Sequence, residues 1–484
     1  MTVQELIADC DLDLRQGRAA SVRHKISRLN LNSVSRAETL GLATICRRAN
    51  LFSLGLRLLT PLLYNERSRW KAEASPFERA EYAALISKNG NNLEALKILS
   101  EIRDVPEATL YMAFCHMANW DFEFAVQQLE PYIASGPPLY SRALAQVNLA
   151  ACLVNLGEWD RSREVLAQTI ALARENGFGR LLANCFELSG QMELRQGRWR
   201  EAETSLNQAR GILTSDGTSD ELLIGKWQAI LQGFRHKSTD PILHFRELAV
   251  QKRHWESARD ADRFGLMIHF EESRFHYLLF GTPFKSFRER LCQELGRQAT
   301  ITKFKLGSGS SVLDLTTGRL TTAEGKGETV FDGICFRLMT VMFKDFYRPV
   351  QLGALFAQLF PGERFNINSS PNRVHQCLWR TRAAMKASGF QIVESHRNYK
   401  VVLNQNASVL APLHQVHKSD LWLDRLREKF GANEFTAVEA CQALDLSRSA
   451  FLRRCQEGLR QGKLRARFKG ANVRYRLGPM SSTT

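Results

Sequence analysis

The sequence predicts a mainly α-helical chain: a solenoid of helix pairs over its first half, then two small α+β units near its end. Three observations predict it. Small, turn and aliphatic residues return together every 30 to 40 residues between Met1 and Leu213. Two later stretches each run helix, helix, helix, hairpin. The charge is also divided: residues 1–300 hold 38 Lys+Arg against 36 Asp+Glu, while residues 301–484 hold 28 against 14.

The helix pairs come first. Phrases of one shape recur: ISKNGNNLEALKILSEI, HMANWDFEFAVQQLEPY, LVNLGEWDRSREVLAQTI and LRQGRWREAETSLNQAR. The turns fall at Gly17, Asn50, Gly90, Trp120, Gly157 and Gly197. Seven residues before each stands a small residue: Cys10, Ala43, Ala83, Ala113, Ala150 and Gly190. Five residues after come Val22, Gly55, Ala95, Ala125, Ser162 and Ala202, and nine after come Ile26, Leu59, Leu99, Leu129, Leu166 and Leu206. Small residues let two antiparallel helices approach closely, Gly or Asn supplies the turn, and the aliphatic side chain fills the interface. One pair cannot bury its apolar face alone, so pairs stack into a superhelix. The pattern resembles the tetratricopeptide repeat family over about Met1 to Leu213, although its period wanders and most first-helix aromatics of the family are missing. The resemblance implies a concave face that takes a peptide or protein effector. Residues 1–215 are therefore expected as repeats, and 216–297 as a degenerate cap with connecting helices.

Within that cap, His269, Glu272 and His276 follow at i, i+3 and i+7, which on a continuous helix would bring two imidazoles and a carboxylate to one face. No further ligand is suggested, so the plainer reading is an ordinary polar helix and no metal site is expected.

The character changes near Gln298, where ITKFKLGSGSSVLDLTTGRLTTAEGKG alternates apolar residues with Thr, Ser and Gly, the mark of short strands joined by turns. Gly307 and Gly309 lack the third glycine and helix of a dinucleotide fingerprint, and Gly325-Lys326 is followed by Gly327 instead of the Ser or Thr of a phosphate-binding loop. Both pairs read as structural. Then come Phe336 to Met339 in a first helix, Leu352 to Phe360 in a second, Pro371 to Ser388 in a third, and a hairpin with Ile392 and Tyr399-Lys400. These residues, from about Ser311 to Leu403, resemble the OmpR/PhoB-type winged-helix effector domain, with the solenoid in place of the family's receiver domain. The expected domain is 298–404. His396 and Asn398 replace the family's wing glycines, and Asn398 is suited to a left-handed turn.

The third helix is the informative one. Val374, Cys377, Leu378, Thr381 and Met385 share one face, suited to packing. The remaining surface carries Arg373, His375, Gln376, Trp379, Arg380, Arg382 and Lys386, with Arg397 and Lys400 in the wing. A major groove about 12 Å wide accepts such a helix; Arg and Gln read base edges and Lys meets phosphate. From Arg364 to Lys400 the acidic residues reduce to Glu394. In the resembling family the loop before this helix can touch RNA polymerase, and Pro361 to Ser370 holds that position.

Residues 405–417 (polar, short, with one Pro) read as a linker. From 418 to 478 the helix, helix, helix, hairpin order returns and resembles a second, small winged helix-turn-helix module. Ser447 is suited to cap its third helix. Leu452, Cys455 and Leu459 are expected on the inner face, with Arg448, Ser449 and Arg453 available to DNA. Arg465, Arg467, Lys469 and Arg474 crowd the hairpin, and from Phe451 onward nine basic residues face one acidic residue, Glu457.

Across 484 residues the net charge is +16. A near-neutral arm joined to a basic end points to one part meeting a polyanion. Ten scattered cysteines offer no CxxC spacing and read as reduced thiols, and no run of about 18 apolar residues exists. Neither membrane spanning nor export is expected. No nucleophile elbow, P-loop or HExxH is present, so no enzyme and no cofactor is expected. The expected function is a cytoplasmic, nucleoid-associated transcriptional regulator. It would bind double-stranded DNA, engage a peptide or protein effector through its solenoid, form homo-oligomers and contact RNA polymerase. The other reading is a repeat scaffold whose basic end binds a protein or RNA.

Overall fold

The computed structural model describes residues 2–15, 18–64, 73–102, 104–213, 219–322, 328–331, 333–386, 388–395, 397–413, 426, 429–431, 433–444, 447–460, 464–468 and 473–477. The chain divides into two compact units: 1–299 with 341–382 and 392–401, and 300–340 with 383–391 and 402–484.

The first unit is built on helix pairs. They are α1 (Val3–Arg15) with α2 (Ala19–Ser27), α3 (Thr39–Arg48) with α4 (Phe52–Tyr64), and α5 (Pro76–Lys88) with α6 (Asn92–Ser100). Then follow α7 (Pro106–Ala118) with α8 (Phe122–Ala134), α9 (Leu139–Leu156) with α10 (Trp159–Glu175), and α11 (Gly179–Arg195) with α12 (Trp199–Ile212). The turns have the conformation the pattern asks for: φ is +61° at Asn50, +93° at Gly90, +64° at Trp120, +79° at Gly157 and +76° at Gly197. Gly17 lies outside the described residues. A left-handed tryptophan is strained. Trp120 is held there by edge-to-face packing on Phe122 and on Phe287, at 5.3 and 4.6 Å.

The small and aliphatic positions pack on each other as their spacing predicts. A Cβ on Gly190 would lie 2.7 Å from Leu206 Cγ, so the residue seven before the turn faces the one nine after it. A Cβ on Gly55 would lie 2.9 Å from Leu85 on the next pair's first helix, so the residue five after the turn faces the following pair. Cys10, Ala43, Ala83, Ala113 and Ala150 are buried, as are all six aliphatic positions.

Helix pairing continues where the sequence pattern fades, through α13 (Ser219–His236), α14 (Asp240–Gln251), α15 (Trp255–Ile268), α16 (Glu272–Phe280) and α17 (Lys285–Leu295). Lys237 supplies the left-handed turn at φ +51° and Ile242 is buried five residues on. The ninth residue is Arg246, which pairs with Asp262 at 2.7 Å, so a salt bridge replaces the expected aliphatic. The single-helix alignment of His269, Glu272 and His276 is corrected. α15 ends at Ile268, His269 is extended at φ −137°, and α16 begins at Glu272. His276 is buried between the rings of Phe275 and Phe280. No cluster of metal-ligating side chains occurs among the described residues.

The helices expected in the first winged unit are present: α18 (Gly333–Met342), α19 (Leu352–Leu359) and α20 (Ser370–Ala384), with the short strand β5 (Val350–Gln351) before α19. The hairpin β6 (Phe390–Ser395) and β7 (Asn398–Leu403) follows, β7 pairing with β5 through Tyr399 and Asn398. Residues 341–382 and 392–401 belong to the solenoid's unit, which corrects the expectation of a self-contained domain at 298–404. They lie along the edge formed by the inter-helix turns. Arg397 donates to Ser53 Oγ (2.9 Å) just after the Asn50 turn. At the Gly90 turn, α19 comes so close that a Cβ on Gly353 would sit 2.4 Å from the Asn89 carbonyl oxygen. Further along, Phe346 N–H bonds the Gly281 carbonyl (3.0 Å), Tyr347 donates to Asp262 (2.7 Å), and the fully buried Arg259 holds Asp345 (2.6 Å).

In the second unit, strands β1 (Lys303–Leu306), β2 (Ser311–Asp314), β3 (Arg319–Thr321), β4 (Glu328–Val330) and β8 (Ala407–Pro412) form one sheet in the order β1-β8-β2-β3-β4. The linker expected at 405–417 is therefore corrected: β8 runs antiparallel to β1 and parallel to β2, with Ala407, Val409 and Ala411 buried. Flanking Asn and Pro masked this short apolar alternation. Gly309 is structural, as expected, since a Cβ there would overlap the Asn406–Ala407 backbone.

A separate core follows: Leu426, Phe435, Ala440, Leu444, Phe451, Cys455, Leu464 and Tyr475. It comprises helices Ala437–Leu444 and Arg448–Arg460 and the hairpin β9 (Leu464–Arg467) with β10 (Arg474–Leu477). Thr436 and Glu439 cap the first helix reciprocally. The inner face of the second is Phe451 with Cys455, whereas Leu452 and Leu459 are 40% and 37% exposed, contrary to expectation. Phe451 wins that place by packing edge-to-face on Tyr475 at 5.5 Å. No helix among the described residues is long and apolar enough to cross a membrane.

Candidate functional site

α20 buries Val374, Cys377, Leu378 and Thr381 and leaves its other face open. Its expected DNA-facing residues divide into two groups. Arg373 ion-pairs with Glu363 and stacks on Phe360, 3.9 Å from the ring centroid. His375 Nε2 lies 3.0 Å from the Tyr399 hydroxyl, and Arg382 donates to the Ile392 carbonyl at 3.1 and 3.3 Å. These three fasten the helix to its neighbours. Gln376, Trp379 and Arg380 are exposed at i, i+3 and i+4 and engage no partner among the described residues; Trp379 is 70% exposed, the most open large apolar side chain among them. Lys386 is exposed just past the helix end.

The residues expected in the wing are partly committed elsewhere. Arg397, bonded to Ser53, takes the left-handed turn at φ +59°, the role expected of Asn398. Lys400 donates to the Phe346 carbonyl at 3.4 Å and burial holds its pKa below the usual lysine value. The loop before α20 is likewise tied down: Phe365 N–H bonds both Glu94 carboxylate oxygens (3.0 and 3.3 Å), and its carbonyl accepts from Tyr82 (2.9 Å). Burial raises the Glu94 pKa, against the hydrogen bonds it accepts.

The C-terminal hairpin has two unlike faces. Arg474 opposes Arg467 and Arg476 opposes Arg465, all four exposed, while Leu464, Tyr475 and Leu477 turn to the core. Directly opposed like charges destabilise a strand pair. Among the four, Arg467 has an acid nearby, Glu434 at 3.5 Å. Arg448 and Ser449 are exposed at the start of the preceding helix, where the Ser449 hydroxyl lies 3.2 Å from that of Ser447. Lys469 lies outside the described residues, as does the side chain of Arg453.

A second site lies in the solenoid. A cleft of about 480 Å³ is lined from the first helices of successive pairs, through Arg47 and Arg48 of α3, Phe77 and Glu81 of α5, Glu107 and Tyr111 of α7, Tyr140 of α9 and Arg180 of α11. Its size suits a short peptide or drug-sized ligand. The sequence reading gave the groove but none of its lining. The signal was an aromatic or charged residue in the first turn of four successive first helices: Phe77 of α5, Glu107 of α7, Tyr140 of α9 and Arg180 of α11.

With this groove in view the comparisons fall into place. Residues 141–215 match the tetratricopeptide repeat. Among solved structures, the apo form of RapI is 11% identical over 60% of this chain and 85% of that one, with a TM-score of 0.34. A Rap protein complexed with Competence and Sporulation Factor is 11% identical over 61% and 86%, at 0.37. A tetratricopeptide repeat protein from Parabacteroides merdae ATCC 43184 is 16% identical over 46% and 97%, at 0.25. No curated protein matches the chain significantly. The tetratricopeptide match spans α9 to α12, two pairs that turn at Gly157 and Gly197.

Proposed function

We propose that the chain is a sequence-specific DNA-binding transcriptional regulator, in which the tetratricopeptide-like solenoid takes a peptide or protein segment and two winged-helix units meet duplex DNA. The observation that carries the reading is the open face of α20, where Gln376, Trp379 and Arg380 reach solvent without a partner among the described residues. Gln and Arg are suited to base edges, and an apolar ring to thymine methyls. The four-arginine face of β9 and β10 supports the same reading, because a polyanion relieves the repulsion between opposed guanidinium groups. RNA polymerase is a weaker proposal, since Phe365 in the loop assigned to it is bonded to the solenoid. A scaffold whose basic end binds RNA or protein is the second reading, favoured by the repeat match.

The test uses full-length protein and labelled duplexes enriched by selection from random sequence. Affinity should fall steeply with salt, each phosphate-contacting arginine contributing about 0.9 to the log–log slope. Arg380→Ala should cost about 1–3 kcal/mol on the selected duplex and relax one base preference. Arg474→Ala should weaken all duplexes alike and lower the salt slope by about one. No duplex binding at low salt, or tighter binding to single-stranded RNA, would overturn the regulator in favour of the scaffold.

A further inference from the structure

Among the described residues, the solenoid cleft leaves one carboxylate oxygen unsatisfied. Arg47 is matched by Glu81, with Nε to Oε1 at 2.6 Å, and both bond the Tyr111 hydroxyl at 2.9 Å. Arg48 pairs with Asp11, and Arg180 pairs with Asp220 at 2.5 Å. Glu107 also lines the cleft, and its Oε2 is buried with no hydrogen-bond partner among the described residues. A carboxylate oxygen removed from water and left unbonded is costly, and a cation seated on it recovers the loss. The surroundings fit a cation too. Tyr111, Tyr132, Tyr140 and Phe114 line the same cleft, and aromatic faces attract ammonium and guanidinium groups. Arg47 already lies over the Tyr111 ring, 4.8 Å from its centroid.

We infer that the cleft binds an extended peptide segment by a Lys or Arg side chain, whose cationic head meets Glu107 among these rings while apolar neighbours pack on Phe77 and Leu144. The shape argues for a peptide over a compact cation. The lining comes from the first helices of six consecutive pairs, α1 to α11, with Ala19 of α2 and Tyr132 of α8 beside them, so the site is long in one direction. This inference rests on the proposal that the solenoid takes a peptide, and names the chemistry it selects.

The experiment measures fluorescence anisotropy of full-length protein with four labelled mixtures of capped pentapeptides. Each mixture varies Ala, Leu and Phe at the outer positions and fixes Lys, Arg, Glu or norleucine at the centre. Lys and Arg mixtures should bind at least about tenfold more tightly than norleucine, and Glu more weakly than any. Glu107→Gln should erase the tenfold preference, and a circular dichroism spectrum and thermal midpoint matching the wild type report that the variant is folded. Glu107→Lys should transfer the preference to the Glu mixture. Binding indifferent to the central residue, or a Glu107→Gln variant that keeps the cation preference, overturns the cation subsite alone. Failure of all four mixtures overturns the peptide-binding groove with it. Spermidine displacing the Lys mixture at equal concentration would overturn the peptide assignment in favour of a free polyamine.

Discussion

Glu187 on α11 sits among Lys226, Asp220 and Asp260, and it is the most consequential titrating group in the solenoid. Burial lifts its pKa to about 7, against the pull of Lys226 and a hydrogen bond from the Trp227 indole. The folded chain therefore holds this proton more tightly than the unfolded chain does, whose carboxyl titrates near its ordinary 4.5. Its contribution to stability is complete below about pH 4.5 and is lost as pH rises through about 7. Relative to Glu187→Gln, the wild type should lose about 3 kcal/mol between pH 4.5 and pH 8, read from urea midpoints at the two values. Equal pH dependence in both proteins would place this carboxyl in water.

At the scale of elements, glycines separate close contact from open surface. Gly353 on α19 faces the Asn89 carbonyl at the Gly90 turn, and a backbone oxygen at 2.4 Å from a new Cβ cannot step aside. Gly353→Ala should destabilise by about 1–3 kcal/mol. Gly211 on α12 meets nothing within 4 Å, so Gly211→Ala should stabilise by about 0.5–1 kcal/mol through helix propensity. Thermal melts of both variants check the pair; a harmless Gly353→Ala would mean that α19 stands off the solenoid. Here the reach of sequence reasoning is plain. Small residues seven before each turn and aliphatic residues nine after it name their own partners, because both ends of the contact lie within one repeat. Gly353 and Asn89 are 264 positions apart, and no local pattern joins them. The same holds for the trough: Glu107 was visible as a first-turn carboxylate, but the lack of a partner for its oxygen among the described residues follows from how the neighbouring helices surround it. On α20, the exposed Gln376 and Arg380 could be read from periodicity, whereas the tethering of Arg373, His375 and Arg382 required knowing what lies beside them.

At the scale of the molecule, the first unit joins the repeats to residues 341–382 and 392–401. Phe346, Tyr347 and Phe365 are buried there, on Gly281, Asp262, Glu94 and Tyr82. A fragment starting at residue 298 would expose all three rings. In the full chain the Phe365 amide, bonded to Glu94, should exchange slowly with solvent deuterium; in the fragment its protection should fall by at least about 100-fold. Undiminished protection would restore the autonomous domain that the sequence suggests. Charge partition, by contrast, was legible at this scale because it needs no partners, and it located the four-arginine ribbon without revealing that the arginines face one another.

Glu81 and Tyr82 are consecutive residues of α5, and that adjacency has mechanical weight. The first borders the trough and steadies Arg47; the second grips the segment that leads into α20. One rod thus borders both the cleft proposed to take a peptide and the segment that leads into the helix proposed to read DNA. Under that proposal, a twist of α5 at the cleft is passed to the segment before α20 through two consecutive residues, with no intervening loop.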